Sequence, residues 1–334
     1  MRPVYRLDLD IVARNAEAWA AYAGVPVRAV LKCDGYDWGA PRLARALGAH
    51  CEAFCVADAD EFASLRPHAT LPIVVLGSIG PERLGEVLDG GGVPTIGTRE
   101  ELAICSEWAA ARERALSVRV GVVPAAGWSG LDLEALAAFA PALADEDVEV
   151  ELWTHLTDER RAPEQLARLQ EAAALLRRAG VNVARIESAA TFATAQKSAD
   201  GESARIGIGL FGATGGTRVP GVRCAIALSA PVLRVERFPA GSFAGYGTTP
   251  LPEATRIATV RCGYGDGYPR ETGERVLAVG MQYALMRARD EEGGASTPML
   301  GPETDLDALA ARAGRSVHEM VTAMGSAARV SETR

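Results

Sequence analysis

The chain has 334 residues, 48% of them hydrophobic and 23% charged, with a formal net charge of −8. That composition describes a globular enzyme with room for one large domain and a smaller one, and the acidic balance argues against a nucleic-acid or anionic-membrane partner. No apolar run reaches the roughly 20 residues of a membrane span, and "MRPVYRLDLD" has no signal-peptide core, so a cytoplasmic protein is expected.

Between residues 10 and 212, short apolar or β-branched runs alternate with Ala- and Leu-rich amphipathic stretches. The runs "VPVRAVLK" (25–32), "AFCVA" (53–57), "LPIVVLG" (71–77) and "VPTIG" (93–97) predict four strands. "LSVRVGVV" (116–123), "VEVELWTHL" (148–156), "VARIES" (183–188) and "ARIGIG" (204–209) predict four more. Helix signals lie between most of them, among them "PRLARALGA", "TREELAICSEWAAARERA" and "PEQLARLQEAAALLRRAG", several opening on Pro or an acidic first turn. Eight such units predict a (β/α)8 barrel. The alternative is an open doubly wound sheet, which usually shows a GxGxxG loop after its first strand. This chain has "GYDWGA" there, which favours the barrel.

After "GLFGATGG" the texture changes. "AIALSAPVLRVERF", "ATRIATVRCGYG" and "RVLAVGMQYALMRA" read as strands between Gly/Pro turns, so a smaller, mostly β domain is expected to follow the barrel. "DEEGGASTPMLGPETD" (290–305) reads as a surface loop, and "LDALAARAG" as a short helix near the end.

Lysine usage singles out one position. Of 35 Lys and Arg residues only Lys32 and Lys197 are lysines, and Lys32 closes the first barrel strand in "AVLKCDGYDWGA". Arginine replaces lysine as a surface charge but not as a Schiff-base amine. An incidental strand-end lysine is the alternative. In a barrel, chemistry sits at the C-terminal ends of the strands. Lys32, His155, Ser188 and Arg205 would converge there from distant segments. Taken singly, His155 also reads as a satisfied core histidine, Ser188 as a cap, Arg205 as an ion-pair member and Tyr246 as a turn residue. The six cysteines are scattered and contain no CxxC, and four histidines are too dispersed for a metal cluster, so neither a metal nor a disulfide framework is expected.

The motifs "VLKCDGYDWGA", "THLTDE", "SAAT", "RIGIGLFG", "GYGTTP" and "CGYGDGYPR" resemble, in order and spacing, those of the alanine racemase family of pyridoxal-phosphate enzymes. The resemblance covers most of residues 3–290, and "TDLDALAARAGRSVHE" is similar to the family's C-terminal helix. It implies a barrel over residues 9–214 and a β-rich domain from residues 1–8 plus 215–334. It further implies a homodimer with shared sites that turns over a small amino acid. In it Lys32 would be the Schiff-base lysine and one of two acid/base groups, and Tyr246 the opposing base, delivered to the partner subunit. Tyr36, Ser188, Gly207 and Ile208 match phosphate-binding positions. His155 would lie against the pyridine ring, and Arg205 beside its nitrogen. Two bases on opposite faces can invert an α-carbon into its D-form, and an arginine that cannot give up its proton favours quick reprotonation.

Several positions depart from the family. Where it has an arginine that helps bind the substrate carboxylate, this chain has Trp128, and Gly121 and Val123 replace a lysine and an aspartate in "GVVPAAGWSG". That removes a bidentate clamp and puts a bulky apolar side chain in its place. His318 in "SVHEM" stands where the family has a gate tyrosine, and Asp290 is an uncertain match to its Met-Asp signature. These changes imply a racemase relative with a substrate scope altered from alanine. The alternatives are a lyase on the same scaffold (a decarboxylase or retro-aldolase), a non-catalytic pyridoxal-phosphate-binding protein, and a barrel without cofactor.

Overall fold

The computed structural model describes residues 2–125, 129–157, 159–197, 201–247, 249–271, 273–289 and 296–332. All eight expected barrel strands are present. After β1 (Val4–Leu7) and α1 (Leu9–Ala23) come β2 (Val27–Val30), α2 (Lys32–Tyr36), α3 (Ala40–Leu47), β3 (Ala53–Val56), α4 (Ala59–Leu65) and β4 (Ile73–Ser78). Then follow α5 (Pro81–Asp89), β5 (Gly92–Ile96), α6 (Arg99–Arg112), β6 (Leu116–Gly121), α7 (Leu133–Asp145) and β7 (Val148–Trp153). The series ends with α8 (Ala162–Arg178), β8 (Asn182–Glu187), α9 (Thr191–Ala195) and β9 (Ala204–Ile206). Seven of the eight strands stop one to three residues before their apolar runs end, whereas β4 runs one residue past its own, to Ser78. Helix starts follow the capping residues: Asp8, Asp58 and Asp132 accept from first-turn amides, and Thr98 forms a capping box with Glu101.

The eight strands form one parallel sheet in the order β8-β7-β6-β5-β4-β3-β2-β9. Among the described residues no ladder joins its ends, β8 and β9, so the cylinder has a seam. An antiparallel bridge, Glu187 with Gly201, and several side chains close it. Glu187, the last residue of β8, accepts from the Arg205 Nη1 of β9 at 2.9 Å and from the Ser203 hydroxyl at 3.0 Å. The same carboxylate accepts from Arg119 Nη2 at 2.6 Å. Glu151 accepts from Arg119 Nε and Arg28 Nη1, both at 2.6 Å, and Glu52 accepts from Arg28 Nε at 2.6 Å. Glu52 also accepts from Arg185 Nη1 at 2.9 Å, so four guanidinium groups and three carboxylates form one network, most of it buried. Burial pushes the Glu151 carboxyl up, but Arg119 and Arg28 outweigh it and hold the group well below the usual carboxylate range. Elsewhere Val30, Ala53, Cys55 and Val74 make a small separate apolar cluster. The main core packs the outer strand faces against the helices.

The second sheet is antiparallel. The long β10 (Ile226–Phe238) pairs through its first half with β1 and through its second half with β11 (Thr255–Val260), with a register shift between Val232 and Arg234. β12 (Val276–Val279) and β13 (Ala284–Arg287) form a hairpin beside β11. The segment read as a loop over 290–305 contains a strand, β14 (Ser296–Leu300), which pairs with β10 and buries Thr297 and Leu300. Pro298 obscures it in the sequence, yet an edge strand tolerates proline. The expected short helix is α10 (Leu306–Arg312), and a longer helix, α11 (Val317–Glu332), follows it. Among the described residues no helix is long and apolar enough to cross a membrane.

Removing one partner from a buried ion network leaves the others uncompensated. Glu187→Ala is expected to cost about 3–5 kcal/mol in urea denaturation near neutral pH. The exposed Glu149→Ala should stay within about 0.5 kcal/mol of the parent protein.

Candidate active site

A cavity of about 410 Å³ opens at the C-terminal ends of the barrel strands, and Lys32, Tyr36, His155, Arg205, Gly207, Ile208 and His318 all line it. Lys32 follows directly on Leu31, whose amide is still tied to the Cys55 carbonyl of β3 at 2.8 Å. The chain then makes an unusual turn. Cys33, Asp34, Gly35, Tyr36 and Asp37 have φ of 53°, 47°, 64°, 58° and 63°, five left-handed residues in succession with a single glycine among them. Left-handed helical conformation costs L-residues roughly 1–2 kcal/mol each, so the surroundings must impose the turn. It sends the Lys32 and Tyr36 side chains into the same cavity.

Tyr36 is buried, with its ring edge-on to Phe211 at a centroid distance of 5.5 Å. Burial raises its phenol well above the ordinary value. A Cβ on Gly207 would collide with the Tyr36 hydroxyl, so glycine is required for this close approach. The Gly207 amide donates to Thr191 Oγ1 at 3.2 Å, and a short 3₁₀ turn (Ile208–Phe211) starts immediately after it. Ser188, the residue after β8, is fully buried and does not line the cavity, although its near neighbour Ala190 does.

Arg205 is held on two sides, by Glu187 and by the Thr154 carbonyl, to which Nη2 donates at 2.8 Å. Burial pushes its guanidinium down from the usual range and the Glu187 carboxylate pulls it back, so the pair remains ionic. Burial, with the positive charges of Arg205 and Lys32 nearby, pushes the His155 imidazole down to about 4. His318 is lowered too, first by burial and then by Lys32, against an opposing pull from Asp307. Its ring stands edge-on to Phe192 at 5.6 Å and 6.2 Å from that of Tyr36. At neutral pH both imidazoles are therefore uncharged. The described lining residues include no carboxylate, so Lys32 and Arg205 make this a site for anionic groups.

Two expected positions, Trp128 and Asp290, lie outside the described residues. Tyr246 does not line this chain's cavity. It is 82% exposed in the loop bridged by Phe243 and Pro250. Sequence reasoning passed over Glu187, Thr191 and Trp153. Trp153 is the last residue of β7, two residues before His155, and both line the cavity. The guanidinium carbons of Arg119 and Arg205 sit 4.7 and 4.9 Å from its ring centroid. Its buried indole Nε1 has no hydrogen-bond partner among the described residues, and a Cβ on Gly121 would lie 3.4 Å from that atom. The indole therefore occupies the space beside Gly121, where a longer side chain would otherwise stand.

A lysine at the mouth of a parallel barrel, joined to an antiparallel β domain, defines the class of protein. Residues 7–215 match the family model described as alanine racemase, N-terminal domain, and residues 225–332 match alanine racemase, C-terminal domain. An alanine racemase of Acidiphilium cryptum is 31% identical over 97% of this chain and 96% of its own length. One of Rhodospirillum rubrum is 32% identical over 96% and 93%. Among solved structures, the biosynthetic alanine racemase of Pseudomonas aeruginosa aligns with a TM-score of 0.77 at 25% identity, covering 97% of both chains. The alanine racemase of Bartonella henselae, solved with covalently bound pyridoxal phosphate, has the same fold, with a TM-score of 0.77 at 19% identity over 97% and 98%. The chain belongs to the alanine racemase family.

The His155 shift makes a pH prediction. Above its ordinary value of 6.5 the ring is neutral in both folded and unfolded chains and contributes nothing. As pH falls from 6.5 toward about 4, the unfolded chain takes up the proton first and the native state loses stability, by about 3 kcal/mol in all. Denaturation curves from about pH 7 to about pH 4.5 should therefore show His155→Gln losing about 2 kcal/mol less than the parent protein.

Proposed function

We propose that the chain is a pyridoxal-phosphate-dependent amino-acid racemase that works as a homodimer, with Lys32 and Tyr246 as its two bases. The observation that carries this reading is one cavity, with no carboxylate among its described lining residues, in which Lys32, Arg205, two neutral imidazoles and the Gly207–Ile208 backbone meet. The residues fit the cofactor. Gly207 leaves the backbone bare beside the Tyr36 hydroxyl, a concave cradle suited to a phosphate dianion. Arg205, fixed by Glu187 and Thr154, would face the cofactor's ring nitrogen, and neutral His155 would lie against its ring. When bound, the cofactor withdraws electrons from the substrate α-carbon and weakens its C–H bond.

The chain's own residues do the rest. The Lys32 amine would hold the cofactor and would move the α-proton on one face. Arg205 donates a hydrogen bond without surrendering its proton, which favours return of the proton to carbon over its transfer elsewhere. Tyr246, exposed and away from its own chain's cavity, suits a base that works on the opposite face in the partner's site. The altered substrate scope rests on Gly121, which puts no cation at the β6 end, and on walls built from Leu76, Trp153, Leu156 and Phe192. These favour an amino acid with an apolar side chain larger than that of alanine.

The test is incubation of the pyridoxal-phosphate-loaded protein with a panel of L-amino acids in D2O, scoring α-deuteration and chirality. A deuterated D-product is expected, best with apolar side chains. It should be abolished in Lys32→Ala and slowed by at least about a hundredfold in Tyr246→Phe. Release of carbon dioxide or an aldehyde without racemisation would assign the protein to the lyases instead. No exchange with any member would overturn the reading.

A further inference from the structure

The left-handed turn at residues 33–37 positions the lysine and the buried tyrosine, yet its own sequence does not account for it. Its local bonds join the Gly35 amide to the Leu31 carbonyl, Asp37 to Cys33 and Gly39 to Asp34, at 2.8, 2.8 and 2.9 Å. Asp34 Oδ1 also accepts from the Ala40 amide at 2.6 Å, and Glu61 of α4 accepts from the Cys33 amide at 2.6 Å. Four L-residues in left-handed conformation still oppose those bonds.

The opposite side of the turn is covered by α11. The indole N–H of Trp38 donates to the Val321 carbonyl at 3.1 Å in a buried bond. Ser326 Oγ donates to Asp37 Oδ2 at 2.6 Å. The Arg329 guanidinium contacts Asp34 Oδ2 and lies 3.8 Å from Asp37 Oδ1. At Gly325 the two backbones meet directly, since a Cβ there would stand 2.6 Å from the Tyr36 carbonyl oxygen and 2.9 Å from the Asp37 carbonyl carbon. Residues 318, 321, 325 and 329 recur at helical spacing, so the face that meets the turn also brings His318 into the cavity.

We propose that α11, through Gly325, Ser326 and Arg329, is the positioning element that holds the 33–37 turn left-handed and thereby sets where Lys32 and Tyr36 stand in the cavity. The proposal deepens the racemase reading and rests on it where it concerns Lys32. The ion pair is the weaker part: the Arg329, Asp34 and Asp37 side chains are 43, 41 and 33% exposed, and water and salt screen them. The backbone approach at Gly325 is the stronger part, because any side chain there must push the turn away.

Gly325 also makes the proposal sharp, because in an ordinary helix interior Gly→Ala raises stability. The experiment measures amide hydrogen exchange over residues 33–39 by mass spectrometry, in the full protein with and without added pyridoxal phosphate, for the parent, Gly325→Ala, Ser326→Ala/Arg329→Ala and Arg329→Lys. The expected result is exchange at least about tenfold faster in Gly325→Ala, confined to this segment. The affinity for pyridoxal phosphate should fall by a similar factor, with a shifted visible absorption band. The double variant is expected to show a smaller increase of about threefold, part of which Arg329→Lys retains. Unchanged exchange over 33–39 in a folded Gly325→Ala, or a protein merely made more stable, would overturn the proposal. Should Gly325→Ala not fold, unchanged exchange in the double variant would overturn it equally. If borohydride fixes no pyridoxyl group on Lys32 of the parent protein, the cofactor reading fails, and the exchange data still decide the role of α11.

Discussion

The bond between Glu187 and Arg205 is the interaction on which the rest of the molecule depends. It spans the seam between β8 and β9, where no backbone ladder closes the sheet among the described residues. It also ends in the cavity, because the guanidinium it holds is a cavity wall. Burying ions is costly, and a buried pair is rarely more stabilising than well-packed apolar side chains. Here the ions do what apolar groups cannot. They fix a permanently charged donor in one orientation, shared between Glu187 and the Thr154 carbonyl, and the network behind it is balanced by the carboxylates of Glu52, Glu151 and Glu187. The neutral state of His155 follows in part from this arrangement, since Arg205 is the largest charge opposing its protonation.

The opposite side of the cavity is built differently. Lys32 and Tyr36 are delivered by a turn of intrinsically unfavourable sense, squeezed between α4, through Glu61, and α11. Conformations of this kind persist where the surroundings over-determine them, and they cluster at functional sites. The barrel sheet thus supplies a rigid, charged wall, and the turn supplies the Lys32 amine. The C-terminal helix belongs to both jobs, touching the turn with Gly325 and the cavity with His318.

At the β6 end Gly121 stands next to the Trp153 indole. That indole is an aromatic face flanked by two guanidinium groups already committed to carboxylates. On the proposed reading, such a surface would favour an apolar substrate side chain over a further carboxylate contact.

The eight barrel strands were legible because a parallel strand covered on both faces reads as a continuous apolar run, and the start of α6 was legible because Thr98 and the acidic residues after it act within one turn. Lys32 stood out because the chain otherwise writes its positive charge as arginine. β14 was hidden by Pro298, and α11 by a run in which Gly325, Val and Thr weaken helical propensity. Nothing in "KCDGYD" announces five left-handed residues, and Arg119, Glu151 and Glu187 look like the polar positions of half-exposed strands. The sequence by itself determined which segments become strands and helices and which residue types are available for chemistry, since those depend on neighbours within a few residues. Only the tertiary structure decided the handedness of the turn, the pairing of the buried charges and the neutrality of His155. Each of these depends on groups that the chain brings together from more than a hundred residues away.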